Sequence, residues 1–334
     1  MKDEFKGKTI LVTGGTGSIG AELVRQILQY QPAKLRVFSR DETKQYELIE
    51  SLGYPKDFNI LIGDIRDKER LNFAFRDVDI VFHAAAMKHV SISEYNPFEV
   101  IKTNIIGSQN IIDAAVEQGV KKVIGISTDK AVNPTGILGT SKLMMEKLFI
   151  NANHYIKARE TKFSCVRFGN VMWSRGSVLP SWKEHATKEK VIKVTDREMT
   201  RFFMSKEQAI NLVLQAATLS QGGEIFTFKM SSVSLIDLAK MFLDKYFHGQ
   251  DIKIEVVGRR QGEKINEELF DQSDLGKLIF SDGKTFIIVP KNRLEQLYQL
   301  ESEPPNYPGF KLLSEIKNLS SLEAIDREQI KSLI

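Results

Sequence analysis

Residues 9–20 read TILVTGGTGSIG, and this stretch decides the fold of the chain. An apolar run at 10–12 predicts a buried strand, and apolar residues at helical spacing over 21–28 predict a helix. Gly14, Gly17 and Gly20 lie between the two elements. A diphosphate needs a backbone without Cβ atoms and free N–H groups at a helix N-terminus. Glycine triplets also occur in ordinary tight turns, but a position between strand and helix favours dinucleotide binding.

Composition narrows the class of protein. With 334 residues, 42% hydrophobic and 27% charged, the chain can build a large core and two domains. No apolar run approaches the roughly 20 residues that cross a bilayer, and the first residues are charged where a secretory signal would be apolar. We therefore expect a cytoplasmic protein with no membrane partner. The single cysteine, Cys165, lies in an apolar run typical of a core, so no disulfide or metal site is predicted, and a net charge of +4 does not indicate a nucleic-acid partner.

Strands and helices alternate along the first half of the chain. Strands are predicted at 35–38, 58–62, 79–82 and 122–126, with helical segments and short loops between them. This order is typical of an α/β protein with a Rossmann-type doubly wound parallel sheet. We expect the sheet to occupy residues 1–168 with a contribution from 200–230, a smaller α/β substrate-binding domain to occupy 169–298, and a C-terminal extension to follow at 299–334.

The end of the second predicted strand bears on the choice of cofactor. Ser39 and Arg40 follow this strand directly, and Lys44 comes one helical turn later. NAD-binding versions of the fold carry an acidic residue here that binds the adenosine ribose, whereas a hydroxyl and cations suit a 2′-phosphate. Asp41 lies one residue late for the NAD role, so we predict NADP. The alternative is that Arg40 and Lys44 are only surface cations at the start of an exposed helix.

Three further strand ends should face the ligand crevice. Asp64 follows the third strand and can hold the adenine amino group, and the small residues at 84–86 after the fourth let a cofactor approach the backbone. The fifth strand ends in STDK at 127–130, and Lys142 opens the next helix. Chemistry is expected at this end of the fifth strand, because side chains there meet the nicotinamide ring.

Six motifs make a family resemblance specific. They are AAMKHVSISEYNP at 85–97, KTNIIG at 102–107, STDKAVNP at 127–134, RFGNV at 167–171, SRGSVLP at 174–180 and MTRFF at 199–203. Together with the glycine stretch and Lys142, they resemble the extended short-chain dehydrogenase/reductases over about residues 7–290. Within that family the chain is most similar to the soluble, inverting UDP-N-acetylglucosamine 4,6-dehydratases of pseudaminic acid and related deoxy-sugar pathways.

The resemblance implies a reaction and a catalytic set. Water is removed from UDP-N-acetylglucosamine across C5 and C6, with transient hydride transfer from C4 to NADP and back to C6. The resemblance assigns catalysis to Thr128 near O4, Asp129 as the acid, Lys130 as the base at C5, and Lys142 on the nicotinamide ribose. Lys130 can act as a base only if burial or nearby cations such as Lys142 lower its pKa.

Two groups of binding residues are expected. The cofactor group is Gly14, Thr16, Gly17, Ser18, Ile19, Gly20, Ser39, Arg40, Lys44, Asp64, Ile65, Ala84, Ala85, Ala86 and Lys142. The group for the UDP-sugar substrate is Lys88, Asn170, Arg175, Ser177, Pro180, Arg201, Arg260 and Glu263. Arg260 and Glu263 belong to GRRQGEK at 258–264, where the family usually has GxRPGEK, so that Gln261 replaces a proline. We also expect a homo-oligomer.

One position departs from the family at large. Leu138 occupies the place of the tyrosine that usually lies four residues before the catalytic lysine and removes the O4 proton. Lys130, or Thr128 acting through water, is a candidate for that role, with slow oxidation at C4 as the consequence. The alternatives are an enzyme that releases a 5,6-ene or epimerises C5 of a keto-sugar, and an NADP-binding regulator without catalysis.

Overall fold

A computed structural model describes residues 2–155, 161–270, 274, 278–290 and 305–313. The strands are β1 (Thr9–Thr13), β2 (Lys34–Ser39), β3 (Phe58–Ile62), β4 (Ile80–His83), β5 (Lys122–Thr128), β6 (Lys162–Phe168), β7 (Asn170–Val171), β8 (Val191–Val194), β9 (Thr200–Met204), β10 (Ile225–Phe228), β11 (Ser231–Ser234), β12 (Lys253–Val256), β13 (Leu278–Ser281), β14 (Thr285–Val289) and β15 (Lys311–Leu312). The α-helices are α1 (Lys2–Phe5), α2 (Ser18–Leu28), α3 (Glu42–Ser51), α4 (Lys68–Ala74), α5 (Val90–Tyr95), α6 (Pro97–Val100), α7 (Gly107–Gln118), α8 (Ile137–Tyr155), α9 (Val178–Glu189), α10 (Lys206–Leu219) and α11 (Leu235–Tyr246). Residues Ile101–Ile106 form a π-helix and Asp129–Ala131 a 3₁₀ turn.

The largest sheet carries the order β15-β13-β14-β10-β6-β5-β4-β1-β2-β3. From β10 to β3 every neighbouring pair is parallel, whereas β14, β13 and β15 extend one edge antiparallel. Helix α2 packs against α10, and α7 packs against both α4 and α8. The chain changes direction across the sheet between β1 and β4, the point at which this fold binds ligands. The predicted Rossmann-type doubly wound sheet is confirmed.

Continuous apolar runs explain the central strands. Ile10, Leu11 and Val12 of β1 are fully buried, because strands of a parallel sheet are covered on both faces. Cys165 in β6 is also fully buried, as its apolar surroundings predicted.

A second, smaller core lies beside the main sheet. It contains Trp182 of α9 and Phe242 of α11, whose ring centroids are 5.8 Å apart. Two small sheets, β11-β9-β7 and β12-β8, accompany these helices. Strand β9 lies between the two cores, since Phe203 packs into the smaller core and Met204 into the larger one. We call the part built from α9, β8, α11 and β12 the small lobe.

The structure differs from the expected domain plan near the C-terminus. Strands β13 and β14 fall inside the region assigned to substrate binding, yet they pair into the main sheet beside β10. Strand partners are chosen by long-range pairing that local patterns do not report. Most of the predicted extension at 299–334 lies outside the described residues, although β15 pairs with β13. In the part of the chain that the structure describes, no helix combines the length and apolarity needed to cross a membrane.

Candidate active site

The glycine stretch forms a closely packed turn between β1 and α2. A Cβ atom on Gly14 would lie 2.6 Å from the backbone nitrogen of Ala85, and one on Gly20 would collide with the carbonyl oxygen of Gly14. Gly14 also has a φ of +67°, a value that favours glycine. Helix α2 begins at Ser18 without a side-chain cap, so its first N–H groups are open toward an anion. The residues present therefore fit the diphosphate of a dinucleotide.

Other predicted cofactor residues surround this turn. Thr16 Oγ1 lies 2.9 Å from Ser39 Oγ, which joins the turn to the end of β2. Ile65 is buried against the start of α7, where a Cβ on Gly107 would come within 2.7 Å of it. Ile19 packs against the main core. The structure thus brings the glycine turn and the ends of β2, β3 and β4 to one edge of the sheet.

The cations predicted near the adenosine ribose take part in surface ion pairs. Arg40 lies 3.6 Å from Asp64, and Lys44 pairs with Asp41, which also caps α3. Asp64 in turn accepts a hydrogen bond of 2.7 Å from Arg66. Exposed pairs of this kind typically contribute about 0–1 kcal/mol. An incoming phosphate can therefore displace a carboxylate from Arg40 or Lys44 at small cost.

Arg175 lies elsewhere than the sequence analysis placed it. Instead of a sugar-side position, its backbone N–H donates to Ser18 Oγ at 2.8 Å and its guanidinium Nη2 donates to the carbonyl of Thr16 at 3.1 Å. Lys88 Nζ donates to the carbonyl of Arg175 at 2.6 Å. The physical reason is that the loop between β7 and α9 folds back over the β1–α2 turn. This loop ties the small lobe to the cofactor turn.

Polar side chains converge where β5 ends. Lys130 Nζ lies 2.9 Å from Asp129 Oδ1, donates to Asn170 Oδ1 at 3.2 Å, and lies 3.6 Å from Glu267 Oε1. Thr128 Oγ1 donates to Asp129 Oδ1 at 2.9 Å. We call Asp129, Lys130, Asn170 and Glu267 the Lys130 cluster. Its members come from the 3₁₀ turn, from β7 and from the segment after the GRRQGEK motif.

Burial and neighbouring charge compete inside the Lys130 cluster. Asp129 is fully buried, which raises its pKa against the pull of Lys130. Burial alone would lower the pKa of Lys130, but the carboxylates of Asp129 and Glu267 outweigh it and raise this pKa. The condition set for Lys130 as a base, a pKa lowered by burial or by nearby cations, is therefore not met in the ion pair, since its strongest charged neighbours are carboxylates. Within the described residues, Asp129 Oδ2 has no hydrogen-bond partner.

Leu138 lines a narrow crevice beside the Lys130 cluster. The crevice measures ≈ 10 Å³, which is room for about one water molecule. Lys130, Lys264 and Glu267 line the same crevice. The position that holds tyrosine in the wider family is thus adjacent to Lys130, and the leucine found here brings no exchangeable proton.

Lys142 is a buried lysine whose pKa moves toward neutrality. Its Nζ donates to the carbonyl of Ile126 at 2.8 Å, and burial lowers its pKa to about 8. His83 lies at the end of β4, where burial lowers its pKa to about 3. This neutral imidazole lies 2.8 Å from Thr13 Oγ1, a structural contact.

A second charged group lies under the same edge of the sheet. Arg167 of β6 donates to both oxygens of Glu146 at 3.1 and 2.8 Å, to Asp274 at 3.0 Å and to the carbonyl of Leu269 at 2.8 Å. Ser127 Oγ donates to Glu146 at 2.6 Å. We call Glu146, Arg167 and Asp274 the Arg167 network. It joins β5, β6 and α8 to Leu269 and Asp274.

The remaining predicted substrate residues border the small lobe. Ser177 precedes α9, and its buried hydroxyl lacks a hydrogen-bond partner within the described part of the chain. Pro180 lies in the first turn of α9. Arg260 is exposed, and its backbone N–H donates to Glu263 at 3.2 Å. The N-terminus of α9 and the Arg260 guanidinium are therefore open to an anion.

Arg201 is a correction to the predicted substrate set. It is buried, and its guanidinium donates to the carbonyls of Thr200, Lys264 and Ile265 at 2.7–2.9 Å. The reason is its position in β9, where both faces of the strand are covered and the donors must be satisfied internally. Arg201 anchors the segment that follows GRRQGEK and does not face a phosphate.

Sequence reasoning missed two supporting residues. Glu267 joins Lys130 from a distant segment, and only its nearness to GRRQGEK in the chain gave a signal. Asn104 lies in the π-helix, where its amide exchanges hydrogen bonds with the backbone of Met87 and donates to Ser141 Oγ at 3.0 Å. Such π-helical turns often occur at functional sites. Asn104 holds the loop after β4 against the start of α8.

Similarity to known proteins agrees with this geometry. Residues 10–287 match the family described as "Polysaccharide biosynthesis protein". An inverting UDP-N-acetylglucosamine 4,6-dehydratase of Campylobacter jejuni is 47% identical over 292 residues, which are 87% of this chain and 85% of the relative. A protein of Methanocaldococcus jannaschii named as an uncharacterized membrane protein is 44% identical over 99% of this chain and 96% of the relative's length. A UDP-glucose 4-epimerase of Rickettsia canadensis is 40% identical over 82% of this chain and 80% of the epimerase's length.

A solved structure agrees over almost the whole length. The X-ray structure of Pen from Bacillus thuringiensis has a TM-score of 0.91 at 40% identity, covering 98% of this chain and 97% of that one. The family match spans both the cofactor turn and the Lys130 cluster. The chain belongs to the polysaccharide biosynthesis protein family, a group with the short-chain dehydrogenase/reductase fold that includes nucleotide-sugar dehydratases and epimerases.

Proposed function

We propose that the chain is an NADP-dependent UDP-N-acetylglucosamine 4,6-dehydratase that inverts C5. One observation carries the proposal: a carboxylate and an amine in direct contact, Asp129 and Lys130, lie at the carboxyl end of β5 beside an open cofactor turn. Removal of water from a sugar needs an acid and a base placed together. The 47% identity to an inverting dehydratase supports the choice of substrate and of stereochemistry.

The Asp129–Lys130 pair can supply both groups with one proton. In the ion pair the proton lies on Lys130, and transfer across the 2.9 Å contact to Asp129 breaks an N–H bond and forms an O–H bond. The neutral lysine then removes the C5 proton, and the neutral carboxyl gives its proton to the departing C6 hydroxyl as water. The pair returns to its ionic form. Burial of Asp129, which raises its pKa, favours the neutral form needed for this step.

The cofactor proposal rests on the chain's own donors. Ser39, Arg40 and Lys44 would hold a 2′-phosphate, and Arg175 would close over the same turn from the small lobe. Lys142 would hold the nicotinamide ribose. When bound, the nicotinamide supplies a reversible hydride acceptor for the sugar.

The substrate would lie between the sheet edge and the small lobe. We infer that Ser177, the N-terminus of α9 and Arg260 bind the diphosphate, while Glu263 accepts from ribose hydroxyls. Asn170 and Thr128 would contact the sugar next to Lys130. A pathway toward pseudaminic acid or a related deoxy-sugar follows from this substrate and remains part of the proposal, as does a cytoplasmic location.

Exposed apolar side chains on α5, α6 and α8 support the proposal of a homo-oligomer. Ile92, Tyr95 and Phe98 are 51%, 88% and 62% exposed, and Met144 of the adjoining α8 is 45% exposed. Helices α5 and α6 both pack on α8, so these side chains lie on neighbouring elements. Contiguous exposed apolar surface is typical of protein interfaces. Light scattering of the purified protein tests this proposal.

Product analysis in D₂O tests the function. The protein is incubated with NADP and UDP-N-acetylglucosamine deuterated at C4, and C4, C5 and C6 are followed by NMR. A 4-keto-6-deoxy product with the C4 deuterium at C6 and solvent deuterium at C5 is expected, with a primary isotope effect because Leu138 replaces the usual base. A released 5,6-ene, or label exchange at C5 alone, would support the alternative reactions. Binding of NADP without any product would support the regulator.

A further inference from the structure

Glu267 has a position that the proposed reaction does not yet use. It is almost completely buried, and its Oε1 lies 3.6 Å from Lys130 Nζ. Its Oε2 lies 3.1 Å from Lys264 Nζ, and Arg201 Nε approaches Oε1 at 3.9 Å. A buried carboxylate facing three cations is costly to assemble and interacts strongly with each of them.

We propose that Glu267 is a positioning residue of this reaction, a second carboxylate that faces Lys130 and sets where the Asp129–Lys130 pair keeps its shared proton. The inference rests on the proposed function, because that function needs a pair with one proton. After Asp129 at 2.9 Å, Glu267 at 3.6 Å is the second carboxylate beside Lys130 Nζ within the described residues, and its side chain is only 2% exposed. Its negative charge stabilises the protonated amine until transfer to Asp129 begins.

The charged groups around the pair define the expected sign. Glu267 raises the pKa of both Asp129 and Lys130, whereas Arg201 opposes it at Lys130. Burial would raise the pKa of Glu267 itself, but Lys130, Lys264 and Arg201 outweigh burial and lower it. Glu267 is therefore a fixed negative charge at neutral pH. Its removal should shift the proton equilibria of the pair to lower pH.

The arrangement also explains why the segment after GRRQGEK is held so firmly. Lys264 Nζ donates to the carbonyl of Val132 at 2.7 Å, and Arg201 donates to the carbonyls of Lys264 and Ile265. These contacts fix the backbone just before Glu267 relative to the turn that carries Lys130. A charge whose effect depends on a distance of a few ångströms needs such support.

Competitive labelling measures the proton on Lys130 directly. The full chain is pulsed with acetic anhydride between pH 7 and 11, and acetylation of Lys130, which is 23% exposed, is quantified by mass spectrometry. In Glu267→Gln the labelling midpoint is expected about one pH unit lower than in the unmodified protein, the smaller end of the range for a nearby charge. Glu268→Gln is the matched control, because Glu268 accepts a hydrogen bond from Asn133, which is not a member of the Lys130 cluster. Equal midpoints in the two variants would overturn the proposal.

A pH profile separates this inference from the proposed function. Both limbs of the kcat/KM profile should move to lower pH in Glu267→Gln, whereas a merely structural role would lower the curve without moving it. An unmodified protein with no dehydratase activity would refute the function but leave the labelling result to judge Glu267. If Glu267→Gln does not fold, Glu267→Asp keeps the charge but draws the carboxylate back from Lys130, so a smaller shift of the labelling midpoint in the same direction is expected, and an unchanged midpoint there also overturns the proposal.

Discussion

The Arg167 network and the Lys130 cluster are built from the same ingredients but differ in how completely they are satisfied. In the network, the guanidinium of Arg167 reaches two carboxylates and a carbonyl, and Glu146 also accepts from Ser127. In the cluster, Asp129 Oδ2 has no hydrogen-bond partner within the described residues, and a crevice opens beside Lys130. Buried polar groups are normally paired, so an unpaired one calls for an explanation. The comparison indicates that the network fixes the sheet edge, and it favours the Lys130 cluster as the reactive site proposed above.

The largest expected effect comes from the reactive side of this comparison. Asp129→Asn and Lys130→Met should each reduce turnover by about 10²–10⁴-fold, because each removes one partner of the acid–base step. The loss should appear mainly in kcat, since both roles begin after substrate is bound. Steady-state kinetics measures it, with NADP titration and thermal unfolding as controls. Lys130→Met that keeps most of its activity and still exchanges the C5 hydrogen with solvent would remove Lys130 as the base.

Breaking the Arg167 network should affect stability. Arg167→Met leaves Glu146 and Asp274 buried without their cation, a change that typically costs about 3–5 kcal/mol. Denaturant unfolding measures the free energy of unfolding. The control is Arg66→Met, which breaks surface ion pairs with Asp64 and Glu99 and should cost less than about 1 kcal/mol. Similar losses in both variants would mean that the network does not hold the sheet edge.

Arg40 is an exposed charge, unlike the buried Arg167 network and Lys130 cluster, so its removal should affect cofactor binding. Arg40→Ala should weaken NADP binding by about 1.5–3 kcal/mol, the range for a hydrogen bond to a charged group, and leave NAD binding nearly unchanged. Isothermal titration with both cofactors measures the difference. Arg25→Ala serves as the control, because Arg25 is also exposed but lies on α2, away from the end of β2. Equal affinity of the unmodified protein for NADP and NAD would contradict the assignment.

The most gradual effect is a pH dependence of stability from the buried Lys142. Its pKa is about 8 in the folded chain and about 10.4 when unfolded, so the unfolded chain binds more protons between these values. Stability from this residue should therefore rise with pH through that window, by up to about 1.4 kcal/mol per unit, and be lost as pH falls through 8. The difference in unfolding free energy between the unmodified protein and Lys142→Met measures it. A difference that does not change with pH would show that Lys142 is not desolvated.

Much of the fold follows from local patterns. Strand 58–62 was predicted with the bounds of β3, and the glycine turn between β1 and α2 lies where TILVTGGTGSIG places it. These predictions succeed because neighbouring residues create the signal: a run of apolar residues makes a buried strand, and glycines permit a turn that a Cβ would block. Asp129 and Lys130 follow the end of β5, a position that the strand itself sets, whereas their proposed catalytic roles came from the family resemblance.

Charges brought together by folding were not predictable in that way. Burial lowers the pKa of Lys130, but Asp129 next to it and Glu267, which lies far away in the chain, outweigh burial and raise this pKa, a direction that the local sequence did not give. Arg201 carries the guanidinium group that often binds phosphate, but it is buried in β9, the strand that lies between the two cores. Arg175 was assigned to the sugar and contacts the cofactor turn instead. In each case the deciding contact joins distant segments.

The amino-acid sequence by itself determined the Rossmann-type sheet, the cofactor turn and the residue types at the end of β5, because these depend on local spacing and on the chemistry of adjacent side chains. Only the tertiary structure decided which carboxylate faces Lys130, which arginine is enclosed, and which strands extend the sheet beyond β10. Those outcomes depend on spatial distances between segments that can lie more than about a hundred residues apart in the chain. Electrostatic energies in a buried site change steeply with such spatial distances.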